Sequence, residues 1–217
     1  MHCDALLFDL DGVLVDSAEC VRRICSEWAA ARGLEPTEVL RWSQGRRVQD
    51  TVRLVAPHLD LAAEVATLVS MEAATTDGLY PVPGTHVMLA ALPPNAWAVV
   101  TSGARPVATL RLEYVGLPLP QTLISGDDVQ RGKPDPEGYL AAAAALGVPP
   151  SECVVIEDAP AGLAAAHAAG MRAIGIAGTF PASDLRDATA VVSRFGALTV
   201  TLAANSPRIQ VLGEGMA

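Results

Sequence analysis

Short, wholly apolar runs alternate with helical patterns along most of this 217-residue chain, and that alternation restricts the fold more than any other feature. Ala5-Leu6-Leu7-Phe8, Trp97-Ala98-Val99-Val100, Val154-Val155-Ile156 and Ala173-Ile174-Gly175-Ile176 lack the in-out pattern of a half-exposed strand. Such runs suit strands buried on both faces of a parallel sheet. Thr122-Leu123-Ile124 is a weaker strand and Ala190-Val191-Val192 a last edge strand. Between them, Pro106–Val115 closes at Gly116, and Pro160 opens a helix that ends near Gly170. Asp135-Pro136-Glu137 supplies an N-cap, a first-turn proline and an early acid for a helix that stops at Gly147. First-turn prolines and terminal glycines are limits of this kind. The alternation predicts a doubly wound α/β sheet.

Residues 17–80 break the alternation. Ser17 or Asp16 can cap a helix with Val21, Ile24, Cys25, Trp28 and Ala29 on one face, ended by Gly33. Helical stretches follow near 36–42, 48–56 and 61–76, with no convincing strand. The reading is an α/β core over 1–16 and 81–204, an all-helical insertion over 17–80, and a tail over 205–217 with no clear pattern, for which partial disorder is expected. Aromatic residues are only 4% of the chain, so Ala, Val and Leu are expected to build the core.

Polar groups collect where these strands end. The first runs into Asp9-Leu10-Asp11-Gly12, two acids two residues apart before a glycine that permits a sharp turn. In an open α/β sheet ligands bind at the carboxyl ends of the strands. Acids this close repel, so a divalent cation or a shared proton is expected. Thr101-Ser102-Gly103 ends the second core strand and offers a hydroxyl and backbone N–H groups to a phosphate oxygen. Lys133 sits between Gly132 and Pro134, a fixed ammonium before a helix. Glu157-Asp158 ends a further strand and could complete an all-oxygen site for a hard cation such as Mg²⁺, although capping of the next helix by Asp158 is the plainer reading.

The formal charge of -9 excludes a nucleic-acid binder, which needs a basic face, but not a small phosphorylated substrate. Cys3, Cys20, Cys25 and Cys153 form no CxxC pair, and free thiols in a reducing cytoplasm are expected. Asp4 and Asp9 interrupt the first apolar run, which is no signal peptide, and no stretch reaches the ~20 apolar residues of a membrane span. Nothing requires self-association, so a monomer is expected.

With these motifs in this order, the chain resembles the haloacid dehalogenase-like hydrolases. The likeness rests on Asp9-Leu-Asp11-Gly-Val-Leu, Thr101-Ser-Gly, Gly132-Lys133-Pro and Glu157-Asp158, and covers the chain to about residue 195. It implies a Rossmann-like three-layer core with a helical cap inserted after the first motif. The stretches Gly132–Leu140 and Cys153–Gly162 are most similar to those of sugar-phosphate and polyol-phosphate phosphatases. The resemblance implies Asp9 as nucleophile and Asp11 as general acid and base, with Thr101 and Lys133 holding the phosphoryl group. It implies Mg²⁺ between Asp9, the Asp11 carbonyl and Asp158, with Glu157 nearby. Ser102 and Gly103 would assist phosphate binding, and Arg46 and Arg47, after Gly45, would reach the substrate from the cap. Sugar phosphomutases of the β-phosphoglucomutase kind are the nearest rivals. They carry a His where this chain has Val21 and a cap Arg where it has Val48. A phosphate-binding protein without catalysis is the reading from another class; it would be favoured by loss of Asp9, Asp11 or Lys133, all of which are present.

Overall fold

The computed structural model describes residues 1–202 and 209–213. In chain order its strands are β1 (His2–Cys3), β2 (Ala5–Phe8), β3 (Val15–Asp16), β4 (Tyr80–Pro81), β5 (Trp97–Val100) and β6 (Leu123–Ile124). They continue as β7 (Cys153–Glu157), β8 (Arg172–Ile176), β9 (Ala190–Val192), β10 (Leu198–Leu202) and β11 (Ile209–Gly213). The helices are α1 (Ala18–Ala31), α2 (Pro36–Ser43), α3 (Val48–Val55), α4 (Leu61–Ala73), α5 (Thr85–Ala90), α6 (Arg105–Tyr114), α7 (Glu137–Leu146) and α8 (Pro160–Ala168).

Six strands form one parallel sheet in the order β6-β5-β2-β7-β8-β9. β2, β5 and β7 are buried along their whole length, as continuous apolar runs require. Side chains alternate across this sheet. Phe8 packs on one face, its ring 6.3 Å from Trp97 and 6.2 Å from Phe195. Leu7 joins Tyr139, Val155 and Leu163 on the other. The aromatics are few, yet Phe8, Trp28, Tyr139 and Phe195 are among the largest fully buried side chains. The expectation of an aliphatic core therefore holds in number but not at its centre. All four cysteines are free and buried.

Helices α1–α4 lie between β3 and β4. These two short strands pair antiparallel, Val15 with Pro81 and Asp16 with Tyr80, so both connections to the four-helix segment are tied together. Trp28 anchors that segment, its indole nitrogen donating to Glu64 of α4 at 2.7 Å. Among the described residues no helix is long and apolar enough to cross a membrane.

Two sequence expectations need correction. β9 edges the main sheet but is not the last strand: β10 pairs with β11, which also pairs with β1, in a small antiparallel sheet. Ile209–Gly213 is thus ordered as a strand, whereas 205–208 and 214–217 of the expected tail lie outside the described residues. Of the two capping candidates for α1, Ser17 turns its hydroxyl to Asp11, while Asp16 Oδ1 accepts the first-turn N–H of Ala18 at 3.2 Å.

Candidate active site

The carboxyl ends of β6, β5, β2 and β7 lie side by side. Asp9 follows β2, Thr101 follows β5, the loop to Lys133 follows β6, and Glu157 and Asp158 close β7. The register is fixed by strand pairing: Phe8 faces Val99 on one side and Ile156 on the other. The Asp9 N–H then donates to the Ile156 carbonyl at 3.0 Å. This places Asp9 at the point where the ladder ends and its side chain is released into the space above the sheet.

Lys133 is the electrostatic centre. Its ammonium donates to Asp9, to Glu157 Oε1 at 2.7 Å and to the Val100 carbonyl at 3.1 Å. Burial works to lower its pKa, but the charges of Asp9 and Glu157 overcome this and raise it, so Lys133 stays cationic. Burial pushes the Asp9 carboxyl up, against the opposing Lys133 ammonium, and the charges of Glu157 and Asp158 add to the rise. Two carboxylates thus hold one buried ammonium.

Asp9, Glu157 and Asp158 each bring a carboxylate oxygen within 4.8 Å of the others. A hard cation suits such an all-oxygen set. The three are not equivalent. Glu157 Oε1 accepts from Lys133 and from the Tyr139 hydroxyl at 3.1 Å, and Oε2 accepts the N–H groups of Asp158 and Ala159 at 2.8 and 2.9 Å. Both of its oxygens are committed. Asp158 accepts from the Thr179 hydroxyl, and its carboxyl is pushed up to about 7, chiefly by burial and then by Glu157. It does not cap α8, whose N-cap residue is Ala159. Gly12, at φ 84°, makes room for it: a Cβ there would lie 2.0 Å from Asp158 Oδ2.

Asp11 sits higher and is more open. Its Oδ1 accepts from Ser17 at 2.6 Å and from Arg111 Nη1 at 2.7 Å. Arg111, on α6, also reaches Glu72 of α4 at 3.3 Å. Neither Arg111 nor Glu72 is found by reading the sequence, since each is one charged residue in an otherwise ordinary helix. Tyr139, an aromatic in α7, and Thr179, one hydroxyl in the loop after β8, carry no pattern in the sequence either.

Above these groups lies a cavity of about 230 Å³. Asp9, Asp11, Thr101 and Asp158 form its floor, and Val21, Ile24, Leu40, Val48 and Leu68 of the four-helix segment line it from the other side. Arg46 and Arg47 separate. Arg46 lines the cavity and stacks on Trp42, 5.4 Å from the ring centre. Arg47 is buried away from the cavity on Asp50 and Val129. The Ser102 hydroxyl donates to the Gly45 carbonyl at 2.9 Å, and the Gly103 N–H to Thr101 Oγ1 at 3.0 Å. The Thr101 hydroxyl thus accepts from the backbone where it lines the cavity.

Known proteins are similar to this chain in sequence and fold. The family model described as haloacid dehalogenase-like hydrolase matches residues 3–170. The chain is 40% identical to hexitol phosphatase A of Escherichia coli strain K12, over 93% of this chain and 95% of that protein. It is 34% identical to glycerol-1-phosphate phosphohydrolase 2 of Saccharomyces cerevisiae, over 86% of this chain and 80% of that one. Among solved structures, a hydrolase from Pseudomonas syringae superposes with a TM-score of 0.80 at 25% identity, covering 89% of this chain and 94% of that one.

Proposed function

The chain belongs to the haloacid dehalogenase-like hydrolases, and from that premise we propose that it is a Mg²⁺-dependent phosphatase of small phosphorylated sugars or polyols. The observation that carries the reading is the buried Lys133 ammonium held between Asp9 and Glu157 at the floor of a cavity. Attack by a carboxylate on a phosphate monoester needs such charge compensation. Hexitol and glycerol phosphatases as relatives support the substrate class.

Asp9 is the nucleophile: its oxygen bonds to phosphorus as the ester P–O bond breaks, giving an aspartyl-phosphate. Asp11 donates a proton to the departing alkoxide. It then takes a proton from the water that cleaves the P–O bond to Asp9 and frees inorganic phosphate. Lys133 and the Thr101 hydroxyl hold the transferring oxygens. Asp9, Asp158 and the Asp11 carbonyl would hold Mg²⁺, which screens the repulsion between nucleophile and substrate. Glu157, with both oxygens already engaged, holds Lys133 in place and contributes charge without binding the ion.

The four-helix segment acts as the cap over this site, and Arg46 faces the substrate. Val21 and Val48 line the cavity where a mutase of the β-phosphoglucomutase kind carries a His and an Arg, which favours hydrolysis over transfer. The test is phosphate release from a panel of hexitol, glycerol and sugar phosphates, with and without Mg²⁺. Mg²⁺-dependent release from several is expected. No release from any would overturn the reading, and conversion of β-glucose 1-phosphate to glucose 6-phosphate without release would replace it with a mutase.

A further inference from the structure

The loop between α2 and α3 touches three of the strand-end loops that build the site. The Gly45 carbonyl accepts from Ser102, next to Thr101. A Cβ on Gly45 would lie 3.0 Å from Cβ of Ala159, next to Asp158. Arg47 makes the third and most elaborate contact, with the loop that ends at Lys133.

Arg47 is placed as a structural wedge. Its side chain is 7% exposed. Nε and Nη2 fork onto the two oxygens of Asp50 at 2.7 and 3.2 Å, and Nη1 donates to the Val129 carbonyl at 2.9 Å. With the Gln49 amide in its hydrogen-bonding orientation, its oxygen accepts from Nη1 at 2.8 Å and Nη2 at 3.2 Å. The guanidinium therefore has its charge and most of its donors satisfied by protein. The stem lies against Gly132, directly before Lys133: a Cβ there would stand 2.6 Å from Nε and 2.9 Å from Cδ. Gly132 does not have a positive φ, so the missing side chain serves the close approach and not the backbone conformation.

We propose that Arg47 is a positioning residue, which locks the cap loop onto the Lys133 loop so that closure of the cap and assembly of the phosphoryl site are one event. It acts through Lys133 and touches no substrate. Asp50 neutralises it within the cap, so the carbonyl of Val129 and the Gly132 surface are what it gains on docking. Lysine cannot replace it, because a single ammonium does not fork onto Asp50 while reaching Val129. The inference rests on the phosphatase reading for its kinetic consequences but not for the docking itself.

Two readouts test it on the full chain. Hydrogen exchange in Arg47→Ala is expected to quicken in both 44–50 and 126–133, and in Gly132→Ala likewise, although that variant removes no charge. In steady-state assays both variants are expected to lose about tenfold to a hundredfold in kcat/KM, the scale of a misplaced reacting group. The loss should be equal on p-nitrophenyl phosphate and on a hexitol phosphate, with Arg47→Lys impaired and added guanidinium restoring part of the Arg47→Ala loss. A loss confined to the hexitol phosphate would make Arg47 a substrate contact and overturn the proposal. So would exchange that quickens in 44–50 alone. If Arg47→Ala does not fold, Gly132→Ala carries both readouts. If the wild type hydrolyses no phosphomonoester, the phosphatase reading fails, while the exchange experiment still decides whether Arg47 docks the two loops.

Discussion

Arg111 Nη1 lies 2.7 Å from Oδ1 of Asp11, and its Nη2 lies 3.3 Å from Glu72, so one guanidinium links a strand-end acid to helix α4. The Arg111 side chain is only 4% exposed, and Oε2 of Glu72 is shielded and accepts no hydrogen bond. Removing one partner of a buried pair leaves an uncompensated charge and costs about 3–5 kcal/mol. Arg111→Met is expected to lose stability on that scale and to lose activity as Asp11 is freed. Arg111→Met with Glu72→Met should be more stable than Arg111→Met alone, because the more deeply buried Glu72 carboxylate no longer stands without a partner, while the more exposed Asp11 keeps the Ser17 hydroxyl. Denaturant unfolding of the two variants checks this; a double variant no more stable than the single one would refute the account.

The two roles assigned to Asp11 can be separated by leaving group. A phenolate needs little protonation to depart, whereas the hydrolytic water must still lose a proton. Asp11→Asn is therefore expected to form the aspartyl-phosphate from p-nitrophenyl phosphate and then stall. Acid quench and intact mass should show one added phosphoryl group on Asp11→Asn and none on Asp9→Asn.

What the sequence reveals and what it hides follow from the range of the interactions. Asp9, Asp11, Thr101, Glu157 and Asp158 each lie within a few residues of an apolar run, so local pattern alone places them at one sheet edge; Lys133 stands well past Ile124 and is marked instead by its place between Gly132 and Pro134 before a helix. Their partners do not share that property. Arg111 meets Asp11 across 100 residues and Tyr139 meets Glu157 from a helix, and neither contact leaves a periodic trace. β11 takes its place only beside β10 and β1, and β3 and β4 are two residues each, so no run of residues announces them. Ser17 and Asp16 are equally suited by residue type to cap α1, yet only Asp16 accepts a first-turn N–H, and the Ser17 hydroxyl goes to Asp11, a partner that residue type does not announce.

Asp158 gives the chelated protein a pH-dependent stability. Burial and Glu157 move its carboxyl from 3.8 to about 7 in the fold. A raised carboxyl pKa means that the folded chain binds the proton more tightly than the unfolded chain. Between those two values the folded state holds more protons, and stability falls as pH rises. In EDTA, Tm is expected to decline from pH 5 to pH 8. Bound as proposed, Mg²⁺ would replace the proton as the compensating charge, so adding it should raise Tm most at pH 8 and flatten the slope. Thermal scans with and without the metal decide it, and a Tm that rises with pH in EDTA would contradict the assignment.

Gly162 offers a test in which the usual sign of a substitution is reversed. It lies in α8, where glycine is ordinarily about 1 kcal/mol worse than alanine. Here a Cβ would lie 1.6 Å from Glu157 Oε1 and 2.1 Å from its Cδ. Glu157 cannot yield freely, because Lys133, Tyr139 and the N–H groups of Asp158 and Ala159 all hold it. Gly162→Ala is therefore expected to lower Tm and not to raise it. It should also cut kcat, since Lys133 loses the carboxylate that fixes it beside Asp9. Overpacking of a fitted interior typically costs about 1–3 kcal/mol, enough to outweigh the helix gain. Gly178→Ala is the control for an added methyl group alone, since no atom stands within 4 Å of its Cβ position and its φ is not positive. A fall in Tm for Gly162→Ala with kcat unchanged would show that Glu157 supports the fold without positioning Lys133, whereas loss of both places the glycine, the glutamate and the lysine in one packed unit.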